Sequence, residues 1–158
     1  MKYIKLTKGF EAIVDDEDYE YLNRLKWCIS YSSKTVKYAA RRINGIKLYL
    51  HFMLIDIPKN HVVDHINRNT LDNRKENLRT CHRAQNTFNR DKNKNKVSSQ
   101  YKGVFWDKEH SQFKAQISFN KKQIWLGRFK TEKEAALAYN KKAKELFGKF
   151  AFLNEVLK

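Results

Sequence analysis

Several things are scarce in this 158-residue chain, and each scarcity removes a class of protein. Its two cysteines, Cys28 and Cys81, form no CxxC pair, so there is no structural zinc ribbon and both read as reduced thiols. No apolar run approaches the roughly 20 residues that span a bilayer, and Met1-Lys2-Tyr3 does not open a charged-then-apolar signal segment. The expectation is a cytoplasmic protein with no membrane partner. No coiled-coil pattern or long apolar interface helix is present, which favours a monomer. Acids are scarce too: 17 Asp and Glu stand against 33 Lys and Arg, for a formal net charge of +16. A chain long enough for one ordinary domain or two small ones, and this basic, implies a polyanionic partner, nucleic acid first.

The most informative stretch is residues 61–90, HVVDHINRNTLDNRKENLRTCHRAQNTFNR. The apolar run His61-Val62-Val63 delivers an adjacent Asp64-His65 pair, and a polar loop rich in Asn and Arg follows. Asn77-Leu78 opens a second strand, and a helix beginning at Cys81 or His82 carries Asn86 and Asn89. These residue types suit phosphodiester hydrolysis. The reaction needs a nucleophilic water, a base for its proton and a cation to neutralise charge growing on the phosphate. A neutral imidazole titrates near working pH and suits the base. Asp64 offers a hard anionic oxygen and Asn86 a neutral one, a pairing suited to Mg²⁺. The assignment is therefore His65 as general base, with Asp64 and Asn86 as ligands of one divalent ion, Mg²⁺ or Mn²⁺.

One feature of the pair resists this reading. Successive residues on a strand point to opposite faces, so Asp64 and His65 share a site only if the strand ends or twists there. Asn67, Arg68 and Asn69 supply turn-favouring residues at that point.

The words DHIN, LDNRKENLR and QN, in that order, resemble the HNH motif, the ββα-metal nuclease core, in the form met in phage and intron homing endonucleases. The resemblance covers residues 61–90 and implies a site-specific endonuclease cutting double-stranded DNA. It gives Asn77 a structural task in the catalytic set, tying down the loop so that the imidazole is aimed. It also implies the cytoplasm of a bacterial host if the chain is phage-encoded. A competing reading takes the core as a non-catalytic scaffold in a DNA-binding regulator. Another gathers His61, His65, Cys81 and His82 into a structural zinc site, although their spacing lacks the regularity of such sites.

Residues 1–57 are expected to form a β-rich platform. Phe10 to Val14 suits a strand, and Asp15 to Asp18 places acids where a helix N-terminus favours them, as caps rather than metal ligands. Tyr19, Leu22 and Leu25 continue that helix toward Trp27. Val36 to Ile43 and Ile46 to Leu50 flank Asn44-Gly45, the strongest short hairpin signal, and Arg41, Arg42 and Lys47 make the hairpin basic. His51 to Ile55 reads as a buried helical turn before Pro58, with His51 packing or hydrogen-bonding rather than catalysing. Residues 68–96 hold nine Lys or Arg against three acids. Arg41, Arg42, Arg68, Arg74, Arg79, Arg83 and Arg90 are the expected phosphate contacts around the site.

After a basic linker at 91–99, three aromatic-rich strand patterns appear at Tyr101 to Trp106, Phe113 to Phe119 and Gln123 to Phe129. Thr131 to Glu134 is a capping box, and Ala135, Ala138, Tyr139, Ala143, Leu146 and Phe147 recur at helical spacing up to Gly148. The words YKGVFWD, FKAQI, WLGRF, TEKEAALAYNKKA and FLN, over residues 100–154, resemble an AP2 domain. That resemblance implies a three-stranded antiparallel sheet on one helix, its open face entering the major groove. By position, Lys102, Gln116, Ser118, Gln123, Trp125 and Arg128 would face DNA. Phe105 and Ser118 stand where the family often has Arg, so the fold matches better than the recognition chemistry. The whole is an α+β chain: a nuclease domain at 1–90, the linker, and a DNA-binding domain at 100–158.

Overall fold

The computed structural model describes residues 1–90 and 98–156. The fold divides into two compact units, Met1–Asn86 and Thr87–Lys158, with the division four residues before the expected end of the first domain. The sheets are small and antiparallel, and the helices are few, a mixed α and β chain. None of the helices among the described residues is long and apolar enough to cross a membrane.

The first unit opens with β1 (Lys2–Lys5) paired antiparallel to β2 (Glu11–Val14), so Phe10 stays outside the strand. Helix α1 covers Asp16–Asn23 and stops short of Trp27. The indole Nε1 of Trp27 donates to the Leu22 carbonyl at 2.9 Å, satisfying a carbonyl in the helix's last turn while the ring enters the core. Next come β3 (Cys28–Tyr31), β4 (Lys37–Ile43) and β5 (Ile46–Tyr49), one sheet in the order β3-β4-β5. The β4–β5 turn is the expected Asn44-Gly45, with φ of 49° and 79°, the two left-handed residues that a type I′ turn demands. A 3₁₀ turn, Leu50–Met53, buries Leu50 and His51. Ile4, Val14, Leu22, Trp27, Ile29, Ala39 and Leu50 form the core.

The acids of residues 15–18 stand at the start of α1 as expected, with Asp16, Glu17 and Asp18 in its first turn, but none of their side chains makes a cap bond. Asp15 occupies the N-cap position without a side-chain cap bond, and its Oδ2 accepts from the backbone N–H of Lys75 at 2.8 Å. Glu17 and Asp18 pair with the Lys75 ammonium at 2.5 and 3.1 Å, and Asp16 pairs with the N-terminal ammonium at 2.8 Å. Three of the four thus also hold a loop from far along the chain.

In the second unit β8 (Val104–Asp107), β9 (Gln112–Phe119) and β10 (Lys122–Phe129) form an antiparallel sheet in the order β10-β9-β8. Helix α3 (Glu132–Phe147) begins with the expected capping box, Thr131 and Glu134 bonding each other's backbone N–H groups. Ala135, Ala136 and Ala143 are fully buried, and their small side chains let the helix lie close against the sheet. Gly103 takes φ of +76°, and a Cβ there would stand 2.1 Å from the Tyr139 ring and 2.6 Å from the Gln116 carbonyl. Of the expected linker, residues 91–97 lie outside the described residues. Ser98 and Ser99 belong to the second unit instead: Ser98 Oγ accepts from the Trp106 N–H at 2.9 Å, and Ser99 is buried.

Candidate active site

Two strands and one short helix carry the candidate residues. β6 (His61–His65) and β7 (Leu78–His82) pair antiparallel, and α2 (Arg83–Phe88) follows without a break. The strand runs one residue further than expected, so the helix starts at Arg83 and Asn89 falls just past its end. Asn86 lies in the middle of α2. A two-stranded hairpin is marginal by itself, so its geometry depends on what holds the intervening loop.

That loop is held by its own amides and carboxylates. The Asn77 Oδ1 accepts from the Asn67 N–H at 2.8 Å, and its Nδ2 donates to the Asp72 carbonyl at 2.7 Å. Asn67 Nδ2 donates to Asp72 Oδ2 at 2.8 Å, and Asn67 and Asn69 each accept from a backbone N–H two residues on. Arg74 donates through Nε and Nη2 to Asp72 at 2.9 and 2.8 Å and holds its carboxyl below the usual carboxylate range. The loop is also fastened to the platform. Ile13 N–H donates to the Leu71 carbonyl and Asn73 N–H donates to the Ile13 carbonyl, both at 2.8 Å, while the Thr70 hydroxyl bonds the Lys37 carbonyl.

Asp64 and His65 are both buried at the closing end of this hairpin. Asp64 stands opposite Arg79 and His65 opposite Leu78, so the pleat sends the two side chains to opposite faces. Asp64 Oδ2 accepts from Arg79 Nε at 2.8 Å and Nη2 at 2.6 Å, a charge-assisted pair out of most of the solvent. On the other face, the His65 ring lies 5.2 Å edge-on to His51 and 6.1 Å from Tyr38, and its Nε2 meets Asn73 Oδ1 at 3.4 Å. The strand ends at once: Arg68 N–H donates back to the His65 carbonyl at 2.9 Å, and Arg68 takes φ of 67°.

Burial lowers the His65 pKa below the ordinary imidazole value, and the Asn73 bond and the charges of Asp64 and Asp72 pull it partly back. The ring is therefore neutral at neutral pH, as a proton acceptor must be. His51 is pushed down further, to about 3, by burial and by the neighbouring His65. It stacks on Tyr49 at 5.5 Å and serves as a neutral packing element.

Asp72, Asn73 and Tyr38 escaped the sequence reading. Asn73 is fully buried between the loop and the His65 ring, and its only trace in sequence is its place in the LDN word. The zinc alternative fails on geometry. His61 and His82 face each other with rings 4.1 Å apart, but Cys81 pairs with Val62 on the other face of the hairpin. Among the described residues, three His, Cys, Asp or Glu side chains converge elsewhere, at Asp107, Glu109 and His110.

Several expected DNA contacts have protein partners. Arg74 pairs with Asp72 and Glu76, Arg79 with Asp64, and Arg128 with Asp107 at 3.0 Å. Lys102 does not stand free on the sheet: its ammonium donates to the Phe88 and Arg90 carbonyls at 3.0 and 2.5 Å, at the end of α2. Arg83 and Arg90 are exposed. Gln116, Ser118, Gln123, Trp125 and Arg128 alternate with the inward Ala115, Ile117 and Ile124. Trp125 is 51% exposed with the Arg128 guanidinium 5.2 Å over its ring, which sets ordinary sheet packing aside.

Comparison with known proteins bears on this same hairpin. Residues 56–88 match the model of the HNH endonuclease family. The chain is 32% identical over 151 residues to a protein of Acanthamoeba polyphaga mimivirus named as an uncharacterized HNH endonuclease, covering 94% of this chain and 77% of that one. No solved structure matches. The matched segment begins just before β6 and ends with α2, enclosing the strand pair, the amide-bonded loop and Asn86. On that agreement, the chain belongs to the HNH endonuclease family.

Proposed function

We propose that the chain is a metal-dependent, site-specific endonuclease of the homing type that hydrolyses double-stranded DNA, with His65 as general base. The observation that carries this reading is His65 itself, a buried, uncharged imidazole set by Asn73 at the end of a strand whose preceding residue is a buried carboxylate. With Asn73 Oδ1 accepting, Nε2 carries the ring proton and Nδ1 is the atom that would take a proton from water. Asn77 acts at one remove: by fixing both ends of the loop it sets where His65 lies.

Asp64 and Asn86 would hold one divalent ion. Their donor set, one carboxylate oxygen and one amide oxygen, suits a small hard cation such as Mg²⁺ or Mn²⁺. The Arg79 guanidinium that lies against Asp64 competes for the same carboxylate, so an incoming ion would have to share or displace it. When bound, the ion would neutralise charge on the scissile phosphate and the leaving oxygen. The exposed arginines and lysines of the first unit would track the phosphate backbone. The second unit, with three strands on one capped helix, supports the AP2-like reading, in which Gln116, Ser118, Gln123, Trp125 and Arg128 read a groove and the nuclease unit cuts with little regard to base. The chain would work as a monomer with one centre, so cutting both strands would take two sequential nicks.

The test is incubation with supercoiled plasmid and Mg²⁺, with nicked and linear products separated on a gel. The wild type should nick, EDTA should stop it, and His65→Ala should lose about 10²- to 10⁴-fold in rate with DNA affinity nearly unchanged. Cleavage by His65→Ala at the wild-type rate would remove the base assignment.

A further inference from the structure

The β4–β5 hairpin ends in an apolar tip that stays exposed among the described residues. Ile43 and Ile46 are the last pair in the register, directly opposed across the Asn44-Gly45 turn, and they are 44% and 73% exposed. A single exposed aliphatic side chain is ordinary. Two facing each other at the end of a rigid ribbon form one continuous apolar point. The ribbon is rigid because its turn has the backbone geometry that a two-residue loop requires, and because Arg42 Nη1 donates to the Gly45 carbonyl at 2.9 Å. Both isoleucines are β-branched and stiff at χ1, so little side-chain freedom is lost when they are buried.

Behind the tip stand Arg41, Arg42 and Lys47, none of them ion-paired among the described residues. Arg41 lies 5.9 Å over the Trp27 ring, with its Nε lacking an acceptor, and Lys47 donates to Ser30 Oγ at 3.1 Å. These contacts hold the cations along the ribbon without neutralising them.

We propose that the hairpin tip is a wedge: on bound duplex DNA, Ile43 and Ile46 insert between neighbouring base pairs while the cations behind them meet the flanking phosphates. The proposal rests on the DNA-endonuclease reading above. Charge decides the occupant. A second copy of a +16 chain would bring like charges together, and two isoleucines cover far less than the roughly 1,000 Å² that a specific protein interface needs. A base step fits, because apolar wedges of this size part the stack and kink the duplex, with phosphates within reach on both sides. A two-stranded ribbon is also narrow enough to enter a groove. The consequence is specificity without base hydrogen bonds, favouring easily unstacked steps such as TA and CA.

The test uses relaxed closed-circular plasmid in EDTA, so that no strand is cut, with a type IB topoisomerase that needs no metal. Gel electrophoresis reads the linking number, and filter binding on the same plasmid reads occupancy. The wild type should shift the topoisomer distribution. Ile43→Thr/Ile46→Thr, which keeps β-branching at both exposed positions, should shift it less than half as far at equal occupancy. Ile46→Thr alone should give an intermediate shift, which covers a double variant that fails to fold. Equal shifts at equal occupancy, or a wild type that binds without any shift, would overturn the wedge and leave the endonuclease reading standing. A wild type that fails to bind the plasmid would overturn both. A concentration-dependent dimer that the double variant dissolves would assign the tip to self-association and also overturn the wedge.

Discussion

The Asp64–Arg79 pair offers the sharpest test of where the metal goes. Asp64 is 6% exposed and Arg79 13% exposed in their side chains, joined through Nε and Nη2 to one carboxylate oxygen. Breaking a buried pair by removing one partner costs about 3 to 5 kcal/mol, because the remaining charge is stranded. Arg79→Ala strands the deeper member and should cost about 3 kcal/mol. Asp64→Ala leaves a guanidinium with a route to water and should cost about 2 kcal/mol. Removing both strands nothing, so the double variant should fall short of the sum by about 2 kcal/mol, as coupled neighbours do. Urea denaturation, followed by fluorescence of Trp27 in the core of the same unit, measures each value. If Asp64 binds a divalent ion, Mg²⁺ should restore Arg79→Ala by up to about 2.7 kcal/mol at a hundredfold excess over its Kd. The gain should be smaller in the wild type, where a guanidinium already lies against the carboxylate, and absent in Asp64→Ala. Additive losses would refute the coupling. Equal Mg²⁺ gains in all three proteins would refute Asp64 as the ligand.

Asn77→Ala should lose about 1 to 3 kcal/mol, since it leaves the Asn67 N–H and the Asp72 carbonyl without that amide, and its cleavage rate should fall more than its DNA affinity. Stability should also depend on pH through His51: with a folded pKa of about 3 against 6.5 unfolded, its contribution is complete above 6.5 and drains away as pH falls toward 3. About 2 kcal/mol should go by pH 5, and His51→Phe, which keeps a ring against Tyr49, should flatten the unfolding midpoint against pH. A chain ending at Lys96 should still nick plasmid but with less selectivity and a shallower dependence of binding on salt; unchanged slope and selectivity would mean that the second unit does not read DNA.

How much could be read from the sequence depended on how far apart the partners stand. Asn44-Gly45 and Thr131 to Glu134 are self-contained signals, and both elements formed where expected. β1 and β3 gave no signal, because each has four residues and a single buried side chain, too few for a period of two to show. A sequence shows only local partners, so the acids at 15–18 suggest a helix start, while Lys75, which meets Asp15, Glu17 and Asp18, is about sixty residues on. For the same reason the sequence pattern puts Lys102 on an open face, while its carbonyl partners lie on residues 88 and 90. In the site, residue types alone suggested the roles proposed for Asp64, His65 and Asn86. The support beneath them, Asn73 under His65 and Arg79 against Asp64, required knowing which residues the hairpin brings opposite.

The hydrogen bonds from Ile13 and Asp15 to residues 71–75 mean that the unit of inheritance and the unit of folding differ. Residues 56–88 carry the family likeness and all four residues of the candidate centre, so they look self-sufficient as a piece to graft onto a DNA-binding protein. Moved alone, that piece would leave the β2 edge behind, and with it the template that gives Leu71 and Asn73 their places. A transplant that keeps the centre intact has to begin at the N-terminal strands, because the first fifteen residues are part of the mould in which the nuclease loop is cast.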